Sequence, residues 1–107
     1  KGAARQVAAG LRLARSEALA TRQETRVVLD LERRTFKAEP ELREHVLPQA
    51  IELKLFTAQS DLVTERVGAI RFFPDGGSNG GRVTLAVGER KYEVDVDWLS
   101  GRVAILD

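Results

Sequence analysis

The sequence contains no cysteine, so neither a disulfide framework nor a thiolate metal site can hold it together. That absence leaves the compartment open, because an oxidising space permits disulfides without requiring them. Nowhere does the chain approach the roughly 18 consecutive apolar residues of a membrane-spanning helix, and no stretch has the layout of a secretory signal peptide. Net charge is almost absent: 17 basic and 16 acidic side chains leave +1. No overall field therefore draws the chain to nucleic acid or to an anionic membrane. Histidine occurs once, at position 45, whereas a zinc site usually draws on several His or Cys ligands. What remains is a 107-residue chain that is 43% hydrophobic. It has enough apolar material for a core and the length of one domain, expected to span residues 1–107.

Residues 3–24 read as one helix, rich in Ala, Leu, Arg, Gln and Glu and free of proline. At 100° per residue, Ala4, Val7, Leu11, Ala14, Ala18 and Thr25 share one face. That face is narrow and mostly alanine, so a neighbouring layer can approach it closely. Arg5, Arg12, Arg15, Arg22 and Arg26 form a stripe beside it, and Ala9, Leu13 and Ala20 form another on the far side. A helix packed on one sheet needs a single apolar face, which leaves the far stripe for a partner. The helical pattern is already running at Ala3 with no N-cap residue before it. Such an opening is expected of a chain that begins inside a longer helix.

From Thr25 the period changes to two, and Val27, Leu29 and Leu31 alternate as in a strand. Glu32-Arg33-Arg34 reads as a turn and Thr35–Ala38 as a short returning strand. Residues 39–49, with Pro40, Pro48 and His45, read as a loop. Ile51, Leu53 and Leu55 mark another strand, residues 57–67 have no clear period, and Ala69–Phe73 is a strand ended by Pro74. A two-residue turn at Gly88-Glu89 would pair Leu85 with Tyr92 and Val83 with Val94. The same register sets Arg82 opposite Asp95 and Thr84 opposite Glu93, so charge and apolar patterns agree. A second turn at Ser100-Gly101 would pair Trp98 with Val103 and Val96 with Ile105, placing Val94, Val96 and Trp98 in the core. One helix followed by antiparallel strands that end in a three-stranded meander makes an α+β fold.

Candidates for chemistry are few. Glu41 and Glu44 flank His45, but solvated residues are the ordinary content of a polar loop. Glu93, Asp95 and Asp97 line one side of a strand, which suits general acid–base work or calcium. Lys91, Arg82 and Arg102 balance them, as on a solvent face. Asp75–Gly81 looks like a phosphate cradle but lacks the Lys-Ser/Thr pair and the following helix of a P-loop. Asp75 and Asn79 supply two oxygen ligands where calcium takes six to eight. A flexible hairpin loop that uses glycine for positive φ is the simpler expectation. The helix arginines could bind phosphates or pair with an acidic neighbour. No aromatic residues are interleaved with them to stack bases. No catalytic arrangement assembles from these residues, and neither an enzyme activity nor a cofactor is expected.

Two segments carry a family resemblance. Leu11–Ala20, with Ala14-Arg15-Ser16-Glu17-Ala18 at its centre, leads through Arg22-Gln23 into the strand Arg26–Leu29. Ile70–Gly81 contains Phe73-Pro74-Asp75-Gly76-Gly77-Ser78-Asn79-Gly80-Gly81, and Tyr92–Val103 closes the chain with a tryptophan-to-glycine turn. Together these segments, in this order and spacing, resemble the GspH/FimT family of minor pseudopilins and minor pilins. The loop Phe73, Pro74, Asp75, Gly76, Gly80 and Gly81 is the part similar to the family's "FxPDGxSxGG" loop.

The resemblance implies a pilin-like periplasmic domain, its long helix packed on β-sheets arranged as a sandwich. It implies an upstream leader and a hydrophobic helix that anchors the protein in the inner membrane. It also implies partners, the other major and minor pseudopilins of a secretion filament, and a place near the filament tip. No small-molecule substrate is implied. Since helices of such subunits bundle in the filament interior, Ala9, Leu13 and Ala20 become candidates for the partner interface. The alternative within the family is a minor pilin that binds DNA for uptake or aids pilus assembly. Over residues 88–107, however, Arg90, Lys91 and Arg102 are outnumbered by Glu89, Glu93, Asp95, Asp97 and Asp107, which disfavours phosphate. The ending Asp95–Val103 is also more similar to the secretion branch.

Overall fold

A computed structural model describes residues 2–38, 43–57 and 66–106. Strong helix formers without an internal proline give helix α1, Gly2–Thr21. It stops three residues short of expectation because Arg22 takes a left-handed conformation, φ 58°, the usual geometry just past a helix C-terminus. Ala3, Ala4, Val7, Ala8, Leu11, Ala14 and Ala18 are its buried residues, so the alanine-rich face is the one that packs. The approach is close: a Cβ on Gly10 would come within 2.9 Å of the Phe36 ring.

The strands are β1 (Thr25–Asp30), β2 (Thr35–Ala38), β3 (His45–Val46), β4 (Glu52–Phe56), β5 (Val67–Phe72), β6 (Gly81–Val87), β7 (Arg90–Val96) and β8 (Val103–Leu106). They form two antiparallel four-stranded sheets, ordered β3-β2-β1-β5 and β4-β6-β7-β8. The α+β fold is as expected. The β1–β2 turn is held by Asp30, whose Oδ1 accepts the amides of Glu32 and Arg33 at 3.1 and 2.9 Å, a common use of Asp in turns. His45 and Val46, read as loop, instead extend the first sheet by pairing with Phe36 and Thr35. Part of that loop and most of the aperiodic stretch, residues 39–42 and 58–65, lie outside the described residues.

The β6–β7 hairpin has the expected register: Leu85 opposite Tyr92, Val83 opposite Val94, Arg82 opposite Asp95 and Thr84 opposite Glu93. Arg82 reaches both carboxylates, Asp95 at 3.3 Å and Glu93 at 3.7 Å. The β7–β8 register differs from expectation by two residues, pairing Val96 with Val103 and Val94 with Ile105. The connecting turn is longer than two residues. The Asp97 amide donates to the Arg102 carbonyl at 3.0 Å and the Gly101 amide to the Asp97 carbonyl at 2.7 Å. A shift of two keeps every side chain on its original face, so the apolar pairing survives while Trp98 moves out of the strand.

One apolar cluster joins the helix to both sheets, through residues such as Leu11, Leu29, Phe36, Phe72, Val83 and Val94. The helix touches β1, β2 and β5 of one sheet and β7 and β8 of the other. Full burial of each large side chain contributes roughly 1.5–3 kcal/mol. Thr25, at the start of β1, is buried and donates its Oγ1 to the Ala14 carbonyl at 2.6 Å, which satisfies a hydroxyl that would otherwise be costly there.

Candidate functional site

The glycine-rich loop after β5 is a junction and not the flexible hairpin that its composition suggests. It folds back on β5: Ser78 is buried, its Oγ donates to the Arg71 carbonyl at 2.6 Å, and Asn79 Oδ1 accepts the Arg71 amide at 2.8 Å. Its start is closed by the Phe73 amide on the Gly77 carbonyl, 2.8 Å, and the Gly76 amide on the Phe73 carbonyl, 2.9 Å. Across the molecule, the Ser78 amide donates to the Trp98 carbonyl at 3.1 Å. The loop thus binds the end of the first sheet to the β7–β8 turn of the second.

Two glycines permit this closeness. Gly76 (φ 91°) lies under the Arg15 guanidinium and Leu19, and Gly80 (φ 78°) lies against the Trp98 backbone, where a Cβ would meet Trp98 Cβ at 2.9 Å. The helix completes the junction. Arg15 Nε donates to the Gly76 carbonyl at 3.1 Å, and its Nη2 donates to the Ser100 carbonyl at 3.1 Å. One turn earlier, Arg12 Nη2 donates to the Val103 carbonyl at 3.1 Å. Helix, loop and turn are therefore tied by guanidinium groups that engage backbone carbonyls. These arginines looked like a free basic stripe in the sequence. The signal for their role, Arg15 within the family-like segment, was present but had no spatial partner.

The residues of the family-like loop divide by burial. Gly76 and Gly80 are buried, Phe73 and Gly81 are half-buried, and Pro74 and Asp75 are exposed. Arg71 Cζ stands 5.5 Å from the centre of the Phe73 ring. Val94 and Val96 belong to the core. Trp98 does not: it is 68% exposed, a correction that follows directly from the longer turn. With Phe56, itself 78% exposed, Trp98 lines an apolar groove of about 670 Å³ floored by Gly80 and Gly81. The place of Phe56, at the end of β4, depends on the sheet order, which local pattern does not carry.

On the far side of α1, Ala9, Leu13 and Ala20 are all exposed, and Leu13 keeps 45% of its surface accessible. The structure brings Ala9 and Leu13 to a shallow groove of about 230 Å³ beside Phe36, Ala38 and His45. Ala20 is not part of it. His45 is not a bare loop residue, since its ring stacks on Phe36 at 4.9 Å.

The remaining polar candidates are occupied within the fold. Glu44 pairs with Arg33 at 3.1 Å, and Glu41 lies outside the described residues. Asp75 Oδ1 accepts the Gly77 amide at 2.8 Å, and Asn79 Nδ2 donates to Thr57 Oγ1 at 3.1 Å. Among the described residues no cluster of three or more His, Cys, Asp or Glu has a metal-binding arrangement, and no helix is long and apolar enough to cross a membrane. Asp97 organises the β7–β8 turn. Its carboxylate accepts Ser100 Oγ at 2.7 Å and the Leu99 amide at 3.3 Å. These bonds, Ser100's first, hold its carboxyl below the ordinary carboxylate range.

A single N-terminal helix laid on two antiparallel sheets, closed by a glycine loop, defines a pilin-like domain. The fold matches the type IV minor pilin FimU of Pseudomonas aeruginosa with TM-score 0.72 and 16% identity, over 99% of this chain and 87% of that one. It matches the minor pseudopilin EpsH of the Vibrio cholerae type 2 secretion system with TM-score 0.73 and 13% identity, over 96% and 92%. Residues 3–101 match the family model described as type II transport protein GspH, and the chain belongs to that family. It is 36% identical over 103 residues to the type II secretion system protein H of Xanthomonas campestris pv. campestris. The match takes in 96% of this chain but only 60% of that curated relative's length.

Proposed function

We propose that this chain is the periplasmic domain of a minor pseudopilin, a structural subunit of a type II secretion pseudopilus. It assembles with other major and minor pseudopilins near the filament tip and helps export folded proteins across the outer membrane. Residues 1–107 act as one domain, held at the inner membrane by a hydrophobic helix upstream of α1. Its work is assembly: at the glycine loop Arg15 and Ser78 donate to backbone carbonyls and so hold the helix, loop and sheet as one structural unit.

Family membership supports the system, and the observation that carries the assembly role is the exposed Ala9, Leu13 and Ala20 stripe on the side of α1 away from the core. Small residues there let a neighbouring helix approach, and Leu13 supplies apolar area to bury. The test is Leu13→Glu in the full-length protein, expected to stop secretion while the isolated domain keeps its melting temperature. Normal secretion by that variant would remove the stripe from the interface.

A further inference from the structure

Between α1 and the β7–β8 turn runs a third groove, of about 740 Å³, whose walls carry Arg12, Arg15 and Arg102 with Asp97. Three guanidinium groups against one carboxylate leave two positive charges. Among the described residues none of the three arginines forms an ion pair. Arg12 and Arg15 bind the backbone carbonyls of Val103, Gly76 and Ser100. The one carboxylate accepts Ser100 Oγ and the Leu99 amide, with a weaker attraction from the Arg102 charge.

A guanidinium has five N–H donors in a rigid fork. Arg12 and Arg15 use one or two of them on backbone, which fixes their head groups and leaves further donors for a ligand. The conformational entropy of placing the two side chains is therefore met by folding, and binding need not supply it. A carboxylate is the matching ligand, because the fork accepts it through two parallel bonds.

We infer that this groove receives a carboxylate-bearing segment of a neighbouring protein subunit, through Arg12, Arg15 and Arg102. The inference rests on the assembly role proposed above and names a different face from the Leu13 stripe. A nucleic-acid strand fits less well. Neutralising repeated phosphates takes a row of cations along a strand, whereas here three are gathered in one groove with Asp97 on its wall.

The test leaves the internal hydrogen bonds intact. Ser16 is an exposed groove residue, and Ser16→Glu places a carboxylate one helical turn from Arg12, in competition with the partner's. Arg102→Glu reverses the third charge. Lys91→Glu, on the exposed β6–β7 hairpin end, makes the same charge change elsewhere. Each variant is titrated against the soluble domains of the other pseudopilins of the same system, and against a DNA duplex, at about 50 and about 200 mM salt. Circular dichroism checks the fold of each.

The expected result is binding of wild type and Lys91→Glu to at least one pseudopilin domain, weakened about tenfold or more in both groove variants. Equal binding by all variants would overturn the groove while leaving the assembly role in place. Failure of the wild type to bind any pseudopilin domain would overturn the assembly role with it. Loss of DNA binding, and not of protein binding, in the groove variants would reassign the groove to phosphate.

Discussion

Gly101 packs directly on the carbonyl of Gly76, so closely that a Cβ on Gly101 would overlap the oxygen. The same oxygen accepts Arg15 Nε, which makes this contact the point where helix, loop and turn meet. Gly101 also has φ 71°. Gly101→Ala therefore combines an overlap with left-handed strain and is expected to cost about 3 kcal/mol or more. Gly88→Ala has the strain alone, since φ is 58° and nothing lies within 4 Å of the added Cβ, and should cost about 1 kcal/mol. Urea unfolding of the two variants separates the terms. Equal losses would mean that the junction is able to relax.

Arg15 should be more sensitive to shape than to charge. Its Nε and Nη2 reach two carbonyls, those of Gly76 and Ser100, from one planar group. Arg15→Lys keeps the charge but has a single ammonium head, so it is expected to lose most of what Arg15→Gln loses, about 1–2 kcal/mol by chemical denaturation. Full retention of stability by the lysine variant would show that charge alone suffices.

The β7–β8 turn should respond to acid. The folded-state pKa of Asp97 is depressed, chiefly by the Ser100 hydroxyl. Its stabilising effect is therefore present above the unfolded carboxylate pKa, about 3.9. It is lost as pH falls through the lower folded value. Ser100→Ala removes the largest cause, so the Asp97 carboxyl should titrate at higher pH and the turn should loosen earlier on acidification. A carboxyl-carbon NMR titration reads this directly, and an unchanged Asp97 midpoint would exclude the Ser100 bond as the cause.

Trp98 is the largest aromatic side chain, yet its loss should be mild. Trp98→Ala keeps the Cβ that lies against Gly80 and removes a ring that is mostly in solvent, so a cost below about 1 kcal/mol is expected. Phe72→Ala, at a position with no exposed surface, should cost about 3–5 kcal/mol. Thermal unfolding compares them. A larger loss at Trp98 would restore it to the core.

The legible parts of the fold were those in which local period and burial agree. The alanine-rich face from Ala4 to Ala18 was readable because a helix repeats its contacts every turn. The β6–β7 register was readable because Arg82–Asp95 and Val83–Val94 select the same alignment. The β7–β8 register was not. A shift of two residues leaves the inward and outward rows unchanged, so patterning alone did not separate a tight turn from the longer one capped by Asp97 and Ser100. The exposure of Trp98 follows from that choice of turn. At His45 and Val46 two residues are too few to show a period, and their strand exists only by pairing with β2.

By itself, then, the sequence determined the class of fold, the buried face of α1, the central hairpin and the family-like loop, because each is encoded in neighbouring residues. Tertiary structure alone decided what the glycine loop and the helix arginines do. Gly76, Ser100 and Val103 stand 61, 85 and 91 positions along the chain from the arginines that bind their carbonyls. A backbone carbonyl also leaves no mark in residue type. Only folding brings such groups within hydrogen-bonding distance.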